Sequence, residues 1–161
     1  MTRHLLNTFA LCSVILAGAL NAAPIRIALV AGANSHGWGA HQHHAVIDFL
    51  AEALRNSGLE IQADVHLDQW PEDLAGQQDL RSVVLYGDGE GDHLLNRRGK
   101  EMSELSERGI GFVCLHYALD VEGATLGAPL LDWLGGCFEA NWSVNPSWTP
   151  VDTILANHPV T

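Results

Sequence analysis

The chain places four histidines and three glycines within thirteen residues, from Gly32 to His44. Glycine lets a backbone turn sharply or approach a ligand closely, and histidine is the side chain whose unperturbed charge changes near neutral pH. An apolar run stands directly before this stretch, so the histidines follow a predicted strand. We therefore expect the loop to form one wall of a small-molecule site, with His36, His41 and His43 as candidate ligand-binding residues.

The same loop raises the alternative of a metal site. Imidazole suits zinc and other borderline cations, and His41 and His43 would converge on one side of an extended segment. If a helix starts early, His41 and His44 share a face instead. The sequence has no H-E-x-x-H pattern. Hydrogen bonding to a polar ligand and binding of a divalent metal by His41 and His43 therefore both stay open, and no other cofactor is assigned, because the glycine patterns match no nucleotide-binding motif.

Two further polar groups follow predicted strands. Asp88 lies in an acidic, glycine-rich turn that ends at His93, and His116 is the polar end of an otherwise apolar row. In parallel sheets, ligands bind at the carboxyl ends of strands. We expect Asp88 and His116 to face the histidine loop; the alternatives are a turn former for Asp88 and a core histidine bonded to a backbone carbonyl for His116.

Strands and helices alternate along the chain with short links. The apolar patterns predict strands over 25–31, 59–67, 80–86 and 110–117, a helix of about four turns that includes 45–54, a second helix over 94–108 and a helical turn at 130–134. This alternation is typical of right-handed βαβ crossovers. The predicted fold class is α/β, a three-layer sandwich with a mainly parallel sheet covered by helices on both faces.

The amino terminus predicts export. Arg3 is followed by an apolar stretch, Leu11 to Leu20, and by small residues at 21–23, which together are typical of a signal peptide over 1–23. The apolar stretch is shorter than the roughly 20 residues that a spanning helix needs. A mature domain over 24–161 in the periplasm or outside the cell is expected, not attached to a membrane. In it, Cys114 either pairs with Cys137 or remains free as a small buried hydrophobe.

Composition and net charge limit the classes of partner that the protein is expected to bind. The 161 residues carry a formal net charge of -11, with 47% hydrophobic and 17% charged residues, enough for one domain with a real core. No basic cluster offsets the negative charge, so nucleic acid is excluded as a partner class. A small-molecule ligand is expected, and the oligomeric state is not determined by the sequence.

The motifs together resemble the ThuA-like domain family, named for trehalose utilisation, within the class I glutamine amidotransferase-like superfamily. The resemblance covers nearly the whole mature chain in the right order. It is carried by Ser35-His36-Gly37, His41-Gln42-His43, Leu85-Tyr86-Gly87-Asp88-Gly89, Gly111-Phe112-Val113-Cys114-Leu115-His116-Tyr117-Ala118, Asp132-Trp133-Leu134-Gly135-Gly136, Phe138-Glu139, Trp142-Ser143-Val144-Asn145-Pro146 and Asn157-His158-Pro159.

The resemblance implies a flavodoxin-like architecture and a carbohydrate ligand. It places His116 at the strand-to-helix elbow where amidotransferase relatives carry a cysteine nucleophile, while Cys114 lies two residues too early for that role. Ser35 and Glu139 fall in matching segments and join the ligand-binding candidates. The family's domain usually runs further, so the resemblance also implies that the chain is the amino-terminal part of a longer protein.

We therefore expect an exported protein of carbohydrate metabolism that acts on a disaccharide or an oxidised sugar, with His116 as the catalytic acid or base or with metal-assisted chemistry. Glutamine hydrolysis by a cysteine thiolate is not expected. The alternatives are a non-catalytic sugar-binding or interaction module and a periplasmic metal-binding protein. Trp133, Trp142 and Trp148 serve either packing or an aromatic platform for a sugar ring.

Overall fold

The computed structural model of the protein describes residues 24–89, 91, 93–139 and 141–143. Within these residues, four parallel strands form one sheet in the order β2-β1-β3-β4: β1 is Ile25–Ala31, β2 is Ile61–Leu67, β3 is Leu80–Tyr86 and β4 is Gly111–Leu115. The helices are α1 (His43–Arg55), α2 (Gly99–Glu107) and α3 (Gly123–Leu134), and a 3-10 turn spans His116–Leu119. The predicted signal segment, Trp148 and the motif Asn157-His158-Pro159 lie outside the described residues.

Helices cover both faces of the sheet because the strand residues are apolar on both sides. Leu29 and Ala31 of β1 pack with α1 on one face, where Ile47 and Ala51 are fully buried. Alternate residues, Ala28 and Val30 among them, pack on the other face against α2 and α3. Full burial of one aliphatic side chain stabilises the fold by about 1.5–3 kcal/mol. The predicted three-layer α/β class is confirmed, and the strand order matches the first four positions of the flavodoxin-like order.

The element boundaries differ from the predicted ones where side chains compete with the backbone pattern. The helix predicted from 94 begins only at Gly99, because His93 Nδ1 accepts a hydrogen bond from the Leu95 N–H and the chain turns there. The strand predicted to reach 117 ends at Leu115. The predicted helical turn at 130–134 is the end of α3, in which burial of Leu126 and Leu130 offsets the unfavourable Pro129.

The neighbouring strands β1 and β3 form the topological switch point of the sheet. The chain leaves β1 through α1 to one face and leaves β3 toward α2 on the other face, which opens a crevice between the two strand ends. At its floor the Gly32 N–H donates to the Tyr86 carbonyl at 2.8 Å. A Cβ on Gly32 would lie 3.3 Å from the Gly87 Cα, so the backbones meet closely here.

The two described cysteines are free thiols, so the disulfide alternative is not realised. Burial raises the pKa of the Cys114 thiol to about 11. This agrees with the predicted role of Cys114 as a small buried hydrophobe. Among the described helices, none has both the length and the apolar character needed to cross a bilayer.

Candidate functional site

Three strand ends bring His41, Asp88 and His116 into one row. His41 Nδ1 lies 3.0 Å from Asp88 Oδ1, and His41 Nε2 lies 3.3 Å from His116 Nε2. A carboxylate only accepts hydrogen bonds, so the Nδ1–H of His41 donates to Asp88. In neutral His41, the Nε2 that faces His116 then carries a lone pair. The predicted convergence of the histidine loop, Asp88 and His116 at one sheet edge is present in the structure.

The histidine loop folds back on itself to place His41. Ser35 and His41 form an isolated antiparallel bridge, with backbone N–H···O distances of 3.2 and 3.4 Å. Between them, Gly37 and Gly39 adopt positive φ angles of 78° and 84°, which residues with side chains rarely adopt. The turn thereby returns His41 to the sheet edge, directly before α1.

Ser35 links the polar groups of this loop. Its Oγ lies 2.8 Å from His36 Nδ1 and 3.1 Å from His41 Nδ1. His36, His41 and Asp88 each offer a potential ligand atom within 4.8 Å of the other two. Sequence reasoning included Ser35 only through the family resemblance, whereas the structure places its hydroxyl among these three side chains.

Asp88 is held as a carboxylate. Its partial burial acts to raise its pKa, but hydrogen bonds from Ser35 and His41 and the nearby His43 outweigh burial and lower the pKa. Asp88 is therefore ionised at neutral pH and fixes which nitrogen of His41 carries the proton. This is the orienting role that a carboxylate plays behind a functional imidazole.

His116 stands at a strained elbow. It follows β4 directly and has a φ of 54°, in the left-handed region that costs an L-residue with a side chain about 1–2 kcal/mol. Its exposed ring stacks on Tyr117, with centroids 4.1 Å apart. Desolvation, together with the neighbouring His41, lowers the pKa of His116. The imidazole is therefore neutral at neutral pH and able to accept a proton.

His43 has a different environment from the other loop histidines. It is fully buried as the first residue of α1, its Nδ1–H donates to the Ala33 carbonyl at 2.6 Å, and its ring meets Tyr86 edge-on. Its Nε2 lies 3.8 Å from Asp88 Oδ1 and has no hydrogen-bond partner within the described part of the chain. The ring centroids of His41 and His43 are 5.7 Å apart, and His43 lines neither of the two cavities at this edge.

Two adjoining cavities open at this edge. The larger, about 730 Å³, includes His36 and Asp88 in its lining, and the smaller, about 250 Å³, includes His116. Tyr117, Asp120 and Phe138 line both. Sequence reasoning did not single out Tyr117 or Asp120 as site residues, although their position directly after β4 is the signal that would have done so.

The remaining candidates are not in the row. Glu139 is exposed and lines neither cavity, and its backbone N–H donates to Ser143 Oγ, at the smaller cavity, at 2.9 Å. His44 points away, with Nε2 2.7 Å from Asp68. His93 is buried at the wall of the larger cavity, where desolvation lowers its pKa.

The described tryptophans differ in solvent exposure. Trp133 packs against Phe112 with ring centroids 6.0 Å apart, which is the packing role, while Trp142 is 81% exposed. Trp38, in the turn of the histidine loop, is 98% exposed. The platform alternative therefore stays open for Trp142, although neither Trp38 nor Trp142 lines either of the two cavities.

Comparison with known proteins finds no matching protein family, no matching curated protein and no matching solved structure. The function of the protein therefore has to follow from the row of His41, Asp88 and His116 and the cavities around it.

Proposed function

We propose that the protein is an exported, ThuA-like enzyme of carbohydrate metabolism that acts on a disaccharide or an oxidised sugar, with His116 as the acid or base. The observation that carries this proposal is the row in which ionised Asp88 orients His41 and His41 faces His116 across 3.3 Å. A base held in place by a second group, which is itself oriented by a third, is the arrangement that proton-transfer catalysis uses.

In the proposed chemistry, the neutral His116 imidazole takes a proton from a sugar carbon next to a keto group or from a hydroxyl. His41 then shares the proton with His116, and Asp88 stabilises the resulting positive charge through the Nδ1–H of His41. The same groups return the proton to another position of the ligand, so that the enzyme ends each cycle unchanged. Desolvation keeps the His116 imidazole neutral, and the strained backbone of the elbow holds its ring at the crevice.

The cavities supply the features that recognise a carbohydrate. Carboxylates accept hydrogen bonds from sugar hydroxyls, and Asp88 and Asp120 both line the larger cavity. Tyr117 and Phe138 add aromatic surface between the two cavities. Together, the volumes of about 730 and 250 Å³ are of the size that small-molecule sites occupy.

The test is turnover by the His116→Asn variant, since asparagine tolerates a positive φ better than most residues. Purified protein is incubated with a panel of disaccharides and their keto derivatives, and products are followed by mass spectrometry. We expect the variant to lose at least about 100-fold in kcat/KM, the usual contribution of one acid or base. His44→Ala serves as the matched control, because His44, the second residue of α1, contacts Asp68 and not His41, Asp88 or His116.

A sugar-binding module without catalysis is the second candidate, favoured by the two solvent-exposed tryptophans, Trp38 and Trp142. It predicts sugar binding by calorimetry, no product from any sugar tested, and an affinity that falls in Trp38→Ala. Retained turnover in His116→Asn would refute the catalytic proposal, and binding without turnover in the wild-type protein would replace it with this one.

A further inference from the structure

The close contact between two imidazole nitrogens requires a hydrogen atom or a cation between them. His41 Nε2 and His116 Nε2 are 3.3 Å apart, and their rings are nearly perpendicular at 85°. Because the Nδ1–H of His41 donates to Asp88, the Nε2 of a neutral His41 presents a lone pair. When His116 Nε2 carries a hydrogen, it donates to this lone pair; when it carries a lone pair as well, a cation between the two nitrogens removes their repulsion.

The distance fits a shared cation as well as a shared proton. Zinc binds imidazole nitrogen at about 2.0–2.1 Å in tetrahedral geometry, which puts two nitrogen ligands about 3.3–3.4 Å apart. The observed 3.3 Å separation agrees with this value. The nitrogens of His41 and His116 are therefore already spaced as two ligands of one ion.

The surroundings of the pair supply the other parts of a metal site. A metal-binding histidine almost always donates its second ring N–H to a carboxylate or carbonyl, and Asp88 accepts the Nδ1–H of His41 in this way. A third imidazole, His36, is exposed, with its ring centroid 4.3 Å from that of His41. When His36 Nδ1–H donates to Ser35 Oγ, its Nε2 remains free to bind an ion.

The geometry points to a divalent-metal site of the zinc class, with His41 and His116 as two ligands and Asp88 as the carboxylate behind His41. Two protein ligands leave open positions for water or a substrate oxygen, as catalytic rather than structural zinc sites do. This site differs from the pairing of His41 with His43 that the sequence suggested, because the Nδ1–H of His43 donates to the Ala33 carbonyl and its ring is buried. With a metal bound, the facing nitrogens of His41 and His116 are ligands and do not share a proton, so this site is an alternative to the acid–base role proposed above, and it does not require that the protein processes a sugar.

The test measures metal alone. Purified protein is stripped with a chelator and titrated with zinc in competition with a chromophoric chelator, and with cobalt(II), whose visible absorption reports tetrahedral coordination. We expect one zinc per chain. Asp88→Asn should weaken binding by about 10–100-fold, the usual effect of removing a carboxylate behind a ligating histidine. His41→Ala and His116→Asn should each weaken it further than Asp88→Asn and abolish the cobalt spectrum.

His44→Ala is the control that should bind zinc as the wild-type protein does, and circular dichroism establishes that each variant is folded. Absence of stoichiometric zinc from the wild-type protein would overturn the proposal, as would zinc binding that is unchanged in folded His41→Ala or His116→Asn. Because no sugar is present, this result is independent of the turnover experiment.

Discussion

The strained backbone at His116 can be measured by comparing two substitutions at the same position. Both His116→Gly and His116→Ala remove the imidazole and its contacts with His41 and Tyr117. They differ in how they tolerate the φ of 54°, which glycine adopts freely and alanine does not. The difference between their free energies of unfolding therefore isolates the backbone conformation of the elbow.

The expected size follows from two opposing effects. A left-handed conformation costs an L-residue with a side chain about 1–2 kcal/mol, and glycine avoids this cost. Glycine also loses more conformational entropy on folding, which destabilises it by roughly 0.5–1 kcal/mol relative to alanine. We expect His116→Gly to be more stable than His116→Ala by about 0.75 kcal/mol, the difference between the centres of these two ranges, which is about 1.5–3 °C in Tm for a domain of this size.

Urea unfolding followed by circular dichroism measures the difference, with equal m-values required for the comparison. Ala45→Gly is the control, because Ala45 is exposed in α1, where glycine should destabilise by about 1 kcal/mol. If His116→Gly is no more stable than His116→Ala, the elbow is not strained and the reasoning is refuted. If it is more stable, the protein tolerates the strain in order to hold the imidazole in place.

Two other outcomes test the site. In chelator-treated protein, kcat/KM should fall as the pH drops, because only the neutral form of His116 accepts a proton. The midpoint should lie below the usual histidine pKa of about 6.5, since desolvation and His41 lower the pKa of His116. A midpoint above that value would contradict the assignment of His116 as the base. Cys114, with a pKa of about 11, should be a thiolate in only about one molecule in ten thousand at pH 7, roughly 100-fold fewer than a solvent-exposed thiol with its ordinary pKa of 9.0. Alkylation by iodoacetamide, read by mass spectrometry, should therefore be slow in the folded chain and fast in urea, and rapid labelling of Cys114 in the folded protein would disprove its burial.

The sequence predicts the sheet well because its inner strands are continuous apolar runs. The pattern of β3 ends at Tyr86, as the structure does, and β1 likewise ends at Ala31. Boundaries were wrong where a single polar group decided the turn, as with His93 before α2. The positive φ that ends β4 at Leu115 depends on the packing around His116 and has no signature in the sequence.

For the candidate site, the sequence predicted which residues lie together but not which of them are in contact. Strand-end placement correctly grouped His41, Asp88 and His116, because parallel strands end at one edge. Their pairwise contacts were beyond the sequence, since His41 could contact His43, His44 or His116 depending on where α1 begins. The helix begins at His43, which buries that ring and leaves the partly buried His41 between Asp88 and His116. Glu139, included through the family resemblance, is exposed and lines neither cavity.

The order of the strands has a practical consequence for finding the ligand. His41 is separated from Asp88 by 47 residues and from His116 by 75 residues along the chain, so the unfolded polypeptide cannot present the site. A molecule that binds only the folded state raises stability by about 2.7 kcal/mol when its concentration is 100 times its Kd. That corresponds to a rise of about 5–11 °C in Tm. A library of sugars and metal salts can therefore be ranked by thermal shift, before any reaction is known.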